Sequence, residues 1–375
     1  MSYTSSITIG PGQDYASLAL ANNEVRQTIQ DGEHYLYTLV PSSFDYAGVL
    51  AWDQFRSYTT DAGNNFEITV SGNTSGVDPF SYCVEPATFH RFENNNGGDK
   101  TFNIVGISFV ASAPLVHRGC FRVGVGALEG DFTINITNCK ADFSLGDATT
   151  GRVDFIEDRR SGDALSASLY TYNITNCQFR TDGRGIYRGQ GGGCTSGSTL
   201  INVVGSILHA TNGRFLLDPH DRSDHDLECN FSGCLSYAVN SPYEVMDTNL
   251  IQSNYSGTVI DCIFSEASSN TAIWAPNQRQ NVTNDASFFF DPAGTAEGDN
   301  VYFSGTNTTF THDYRLYDDP NNLAIGYVSN ITLPSPDLAG NSRGTSPFDA
   351  GAFAIVADAL NNAEVAFGKL FMRVH

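Results

Sequence analysis

Lysine is almost missing from this chain: Lys100, Lys140 and Lys369 are the only three, beside 17 arginines. Tryptophan (two) and methionine (three) are scarce, and charged residues make up 16%, against about 25% in an ordinary soluble domain. With so little charge, Trp and Met beside many Gly, Tyr and Phe, the composition is β-rich and long solvent-exposed helices are not expected. No run of about 18 apolar residues occurs, so no helical membrane span is expected. The opening Met1-Ser2-Tyr3-Thr4-Ser5-Ser6 has neither a basic stretch nor an apolar one, so no secretory leader is expected. The eight cysteines include no Cys-x-x-Cys pair, which removes the usual zinc spacing. Without a leader they are expected as reduced thiols. Base is short as well: 20 basic residues face 41 acids, a net charge of −21. Such a surface repels phosphate backbones, so no nucleic-acid partner is expected. The preference for arginine over lysine suits buried or interfacial pairing and points to a large subunit interface.

What is abundant is β-forming and apolar. Hydrophobic residues reach 41% and aromatics 12%, with 25 Phe, 17 Tyr and 36 Gly. That is enough apolar mass for a large core and a strand-rich chain. A short segment then repeats. Ile134-Asn135-Ile136-Thr137-Asn138-Cys139 returns as Tyr172-Asn173-Ile174-Thr175-Asn176-Cys177, and more loosely as Ile201–Ser206, Cys229–Cys234 and Gly257–Cys262. Phe102–Ile107 is an earlier copy and Val301–Thr306 a late, weaker one. The copies end at 107, 139, 177, 206, 234, 262 and 306, so the spacings are 32, 38, 29, 28, 28 and 44.

Each copy alternates apolar and polar residues, then meets Asn, Gly or Asp, the types that tolerate positive φ. A strand, a fixed corner and a return at near-constant spacing describe one coil of a parallel β-helix. One coil cannot bury its own apolar face, but stacked coils share a continuous core. At about 4.8 Å per coil, the seven copies span roughly 30–35 Å. The long spacings predict loop insertions near 147–168 and 268–295. A hairpin sandwich would instead place Asn-Gly or Asp-Gly turns between paired strands. Cys139, Cys177, Cys234 and Cys262 share one phase with Ser206, which reads as a ladder of small inward residues. The Asn-x-Ser/Thr sites, such as Asn135-Ile136-Thr137, are by-products of the same pattern.

The ends need covers, because a solenoid exposes unpaired backbone there. Ile7-Thr8-Ile9-Gly10 reads as a strand and Pro11-Gly12-Gln13-Asp14 as a turn. From Tyr15 to Ile29, the apolar residues Leu18, Ala21, Val25 and Ile29 form a helical stripe that Asp31-Gly32 stops. This opening, with the closing segment Asp337-Leu338-Ala339-Gly340-Asn341-Ser342-Arg343 and Asp349-Ala350-Gly351-Ala352-Phe353, resembles right-handed parallel β-helix proteins of the pectate-lyase-like superfamily. That group ends the closing motif with an acid, where this chain has Ala354. The resemblance covers most of 1–354 and extends to bacteriophage capsid-decoration and tailspike β-helix proteins. It implies an all-β fold: a right-handed, single-stranded parallel β-helix solenoid with an N-terminal capping helix. The expected organisation is a strand and capping helix over 1–33, the solenoid over 34–354, and a docking tail over 355–375.

Three polar clusters are candidates for chemistry. Asp218-Pro219-His220-Asp221-Arg222-Ser223-Asp224-His225-Asp226 could bind a divalent cation or run acid–base chemistry. Its histidines lie five apart in a Pro-bearing stretch, unlike a helical zinc site, and a charged turn between coils is the simpler reading. Asp154, Glu157, Asp158, Arg159 and Arg160 hold the paired carboxylates that glycoside hydrolysis needs, although a solvated or subunit-facing loop accounts for them too. Arg180, Asp182, Arg184 and Arg188 precede Gly189-Gln190-Gly191-Gly192-Gly193. Such arginines could meet uronate carboxylates, but no Gly-Lys-Ser/Thr follows to make a phosphate loop. Polygalacturonase-like enzymes carry Asn-Thr-Asp, Asp-Asp, Gly-His-Gly and Arg-Ile-Lys in order; only Asp318-Asp319 is found here, and the arginine-centred signatures of pectate lyases are absent.

The sequence therefore assigns no catalytic residue, no cofactor and no metal ligand. The expected function, from the resemblance, is a structural virion protein of a tailed bacteriophage, a homotrimeric capsid decoration or spike assembled in the host cytoplasm. Its expected partners are other capsid or tail proteins and a host surface glycan, with no membrane. The alternative is a tailspike-type polysaccharide lyase or glycoside hydrolase using Asp218, His220, Asp221, Arg184 and Arg188. A bacterial surface or carbohydrate-binding module is the third reading.

Overall fold

The computed structural model describes residues 3–10, 12–40, 65–72, 80–84, 90–94, 98–111, 119–125, 130–143, 154–160, 169–181, 184–188, 198–210, 216–217, 226–237, 255–264, 279–281, 289–291, 313–316, 322, 324–338, 341–352 and 354. Their strands fall into parallel sheets of nine, eight and five strands, plus one antiparallel pair. In chain order the strands visit the sheets in rotation. Phe132–Thr137 lies in the first, Lys140–Phe143 in the second, Asp154–Arg160 in the third, and Leu169–Thr175 is back in the first. Each returning strand pairs in parallel with the one a coil earlier, which makes the chain a β-solenoid.

Alternation dictates which side chains fill it. In the first sheet, Phe132, Ile134 and Ile136 are buried while Thr133, Asn135 and Thr137 are half-buried, as period-two strands require. The inward columns are continuous across coils: Ile68, Phe102, Ile134, Tyr172, Ile201 and Cys229 stand in register, beside Val70, Ile104, Ile136, Ile174, Val203 and Phe231. Burying each such side chain stabilises the fold by about 1.5–3 kcal/mol before chain entropy is subtracted. Aromatic rings step along the axis, with Phe66–Phe102, Phe102–Phe132 and Phe132–Tyr170 centroids 5.9, 5.5 and 5.8 Å apart. Lys100 occupies an inward position between Phe66 and Phe132, its Nζ 4.5 Å from the Phe66 ring centre.

The corner residues expected from the repeat do stack. Gly106, Asn138, Asn176, Gly205, Gly233 and Asp261 all have φ between 51 and 64°. Their amides climb coil to coil: Asn138 N donates to Thr175 O (3.1 Å), Asn176 N to Val204 O (2.9 Å) and Gly205 N to Ser232 O (2.8 Å). Just past the corner, Cys139, Cys177, Ser206, Cys234 and Cys262 form the inward small-residue ladder, each fully buried. The solenoid begins earlier than the repeat suggested. Ser5–Ile9, Glu33–Leu39 and Phe66–Ser71 are already parallel neighbours in the first sheet.

Two spans assigned to loop insertions contain ladder strands. Asp154–Arg160, inside 147–168, pairs on both sides within the third sheet. Arg279–Asn281, inside 268–295, extends the second sheet. The late copy Val301–Thr306 and the tail 355–375 lie outside the described residues. The single helix among the described residues, Leu18–Thr28, starts at Ser17, whose hydroxyl accepts from Leu20 N at 3.3 Å. Leu18, Ala21, Val25 and Ile29, the predicted stripe, are buried in the same core as Ile7, Ile9 and Tyr37.

The C-terminal segment 324–352 makes a second core on the outside of the coils. Leu333, Leu338, Phe348, Ala350 and Ala352 pack on Ile207, Leu235 and Ile263 of the second sheet. Asp261 accepts from Ser329 N (2.9 Å) and from Asn330 N (2.6 Å) and Nδ2 (2.7 Å). The residues of the closing motif hold this segment in place. Asp337 accepts from Asn341 N (2.6 Å) and Ala354 N (2.7 Å). Arg343 reaches Asn176 Oδ1 (3.1 Å) and Gly351 O (2.8 Å). At 354 the chain contributes its backbone amide to the motif, a role any non-proline residue fills.

Candidate functional site

The three clusters singled out by sequence fare differently. Of 218–226, only Asp226 is described; it is exposed and opens strand Asp226–Ser232, while 218–225 lie outside the described residues. The other two clusters, distant in sequence, become neighbours. Asp154 stands opposite Arg184 and Asp158 opposite Arg188 on adjacent strands of the third sheet. Glu157 stands between Arg122 and Tyr187 in the same register. Arg180 lies on a different face of the coil, in the second sheet, opposite Asp142 and His209.

The cysteine ladder is chemically quiet. Cys177 Sγ accepts from Cys139 N at 3.4 Å, and Cys262 Sγ from Cys234 N at 3.3 Å. Burial drives the Cys177 and Cys262 thiols well above their ordinary range, with the neighbouring cysteine adding to the shift. Tyr35 is pushed up to about 12, mainly by burial and then by its hydrogen bond to Glu33. These groups are held neutral in the fold, whereas an unfolded cysteine ionises near about pH 8.5. Folding stability from the thiols is therefore fully present below about pH 8.5 and is lost as pH rises toward the folded values. The expected result is a falling unfolding midpoint above that pH. By peptide mapping, Cys139, Cys177, Cys229, Cys234 and Cys262, all buried and in no disulfide, should resist iodoacetamide in native protein at pH 8 and label fully in denaturant. Native labelling of Cys177 would contradict the ladder.

A different site emerges on the outer face of the first sheet, where the early coils leave an open groove of about 520 Å³. It is lined by Glu33 and His34 from one strand, Phe66 and Glu67 from the next and Thr101 from the third, with Gly32, Asn65 and Asp99 at the corner. Register brings them together: His34 is opposite Glu67, and Glu67 opposite Thr101. His34 Nε2 lies 2.9 Å from Thr69 Oγ1 and 3.5 Å from Glu67 Oε1. The exposed Tyr3 ring meets His34 edge-on at 4.3 Å.

Two hydrogen-bonded ladders leave this groove along the solenoid axis. At the corner, Asp31 Oδ1 accepts from Asn65 N, Asn65 Oδ1 from Asp99 N, Asp99 Oδ1 from Asp131 N and Asp131 Oδ1 from Leu169 N, at 2.8–3.0 Å. On the sheet face, Asn103 Nδ2 donates to Glu67 and Thr69. Asn135, Asn173, Asn202 and Asn230 then each donate to the asparagine one coil earlier, at 2.7–3.1 Å. Thr258 closes the series by donating to Asn230 Oδ1 at 2.8 Å. Apart from Gly32, read only as part of the helix stop, none of these groove residues stood out in the sequence, because Gly32 and Asp99 are two coils apart. The one available signal was the recurrence of Asn at the second position of five of the seven copies.

Among the described residues, no group of three or more His, Cys, Asp or Glu is placed to hold a metal ion. In that same set, no helix is long and apolar enough to cross a membrane. No protein-family model matches this chain, and no curated protein matches it significantly.

Proposed function

We propose that the chain is a structural surface protein of a tailed-bacteriophage particle, a homotrimeric capsid decoration or spike. In this reading it is built on a right-handed β-helix whose N-terminal end the helix Leu18–Thr28 caps. The observation that carries the proposal is where the polar chemistry is spent. The Asn ladder from Asn103 to Asn230 and the corner ladder from Asp31 to Asp131 tie each coil to the next. The closing-motif side chains Asp337 and Arg343 fasten the outer segment. A column braced along its axis suits a rigid projection. A net charge of −21 keeps such projections soluble and apart from nucleic acid. The capping role rests on Leu18, Ala21, Val25 and Ile29 sharing a core with the first strand.

One observation favours a second reading, a tailspike-type lyase or hydrolase acting on host glycans. The third sheet aligns Asp154 with Arg184 and Asp158 with Arg188 across neighbouring coils, a placement that could serve a charged polysaccharide. Two measurements decide between the readings. Light scattering should give three times the chain mass, and purified particles should contain the chain at a fixed copy number. Incubation with acidic polysaccharides should release neither unsaturated uronate absorbance nor reducing ends. Product formation that Asp221→Ala abolishes, or a monomer absent from particles, would overturn the structural reading.

A further inference from the structure

We propose that the groove at Glu67 and Asp99 binds a glycan carrying a free amine, with the sugar chain lying along the Asn ladder parallel to the solenoid axis. The volume, about 520 Å³, falls in the range of small-ligand sites and holds one or two sugar residues. The chemistry of the lining selects the ligand. Glu67 Oε1 is taken by Asn103 and faces His34, and Asp99 Oδ1 accepts from Asp131 N. The second oxygen of each carboxylate has no partner among the described residues. Glu33 adds a third acid to the same wall. This site favours an ammonium group and disfavours the uronates that an arginine-lined face would take.

Charge alone would suit any cation, but the remaining groups suit hydroxyls. Asn65 Nδ2 and Thr101 Oγ1 supply donors and an acceptor beside the carboxylates, as a polyhydroxylated ligand needs. Beyond the groove, Asn135, Asn173 and Asn202 each give one N–H to the ladder and retain a second, and all three are half-buried on the outer face. They are spaced by one coil each, about 4.8 Å, and a β-linked pyranose chain advances roughly one such step per residue. From Asp99 to Asn202 the track runs three coils, roughly 15 Å. The inference rests on the surface-protein reading only in taking a host surface polymer as the natural source; the groove itself is tested with soluble sugars.

Calorimetric titration of the full chain with a glucosamine tetramer should give saturable one-site binding that weakens with salt. The N-acetylated tetramer should bind about tenfold more weakly or worse, since it forfeits a charge-assisted contact, and tetragalacturonate should not bind. Glu67→Gln and Asp99→Asn should each lower affinity about tenfold for the same reason. Both substitutions keep the oxygen that the ladders use, and Asn65 shows that Asn is compatible with the corner column. Their melting temperatures should therefore stay at the wild-type value. Glu228→Gln, on a far coil of the same face, should leave binding unchanged. The proposal falls if the amine tetramer does not bind, if acetylation makes no difference, or if Glu228→Gln weakens binding as much as Glu67→Gln. It falls equally if tetralysine binds as tightly through the same residues. A chain that binds the sugar yet is missing from particles defeats the virion reading alone, and a particle protein that ignores the sugar defeats this inference alone.

Discussion

Arg343→Ala should cost about 3–5 kcal/mol, because it removes three buried hydrogen bonds from a charged donor, each contributing about 1.5–3 kcal/mol before relaxation. Arg343 is 7% exposed, and its guanidinium donates to Gly351 O (2.8 Å), Asn176 Oδ1 (3.1 Å) and Asp349 O (3.3 Å). Burial lowers its affinity for the proton, while Asp337 and Asp349 oppose that shift. Alanine leaves all three acceptors facing a void that water must fill, and it removes the positive charge that Asp337 and Asp349 favour. The effect should be local before it is global. Asn176 belongs to the corner column and Gly351 to the outer segment, so Arg343 is a rivet between the two cores. Its loss should loosen 324–352 and raise hydrogen exchange at the Leu235 and Ile263 amides, which the outer segment covers. Exchange at Ile136 or Ile174, deep in the first sheet, should change little. Arg343→Lys keeps the charge without the planar fork and should lose less. A change under about 1 kcal/mol in urea titrations, with exchange unaltered over 204–263, would show that the outer segment is held by apolar packing alone.

The fold was legible because its repeating constraint is local. Positive φ at Asn138, Asn176, Gly205, Gly233 and Asp261 demands particular residue types, and one small inward residue follows each corner, so spacing alone located the coils from Phe102 onward. Where the constraint relaxes, the signal fades. The strands Glu33–Leu39 and Phe66–Ser71 are coils of the same sheet, yet Leu39 stands at the corner register with no Asn-small pair to mark it. The third sheet was harder still. In Asp154–Arg160, Ile156 is buried, but the charged residues around it read as loop. Nor could sequence explain why Ile207, Leu235 and Ile263 are apolar at an outward phase, because their cover comes from far along the chain. The candidate site was invisible for the same reason: its acids are assembled by register across coils.

That outer cover makes Gly233 a demanding corner, and Gly233→Asn should cost about 2–4 kcal/mol. The backbone alone does not require glycine, since Asn138 and Asn176 hold the same conformation at φ 54 and 55°. Adopting it costs an L-residue about 1–2 kcal/mol, least for asparagine. The larger part is steric. A Cβ on Gly233 would lie 2.6 Å from Leu333 Cδ2 and 3.3 Å from Ile331 Cδ1. Leu333 is 3% exposed within the second core, so its methyl has little room to swing aside, and overpacking of this kind costs about 1–3 kcal/mol. Gly344 separates the two contributions. Its φ is +66° and nothing lies within 4 Å of a built Cβ, so Gly344→Asn should cost about 1 kcal/mol or less. Leu333→Ala completes a double-mutant cycle. Alone it should lose about 2–5 kcal/mol by opening a cavity, but in the Gly233→Asn background it removes the clash, and the pair should cost about 1–3 kcal/mol less than the sum. Additivity within about 0.5 kcal/mol would mean that Leu333 does not rest on the corner, and that the outer segment is not seated on the coils as described.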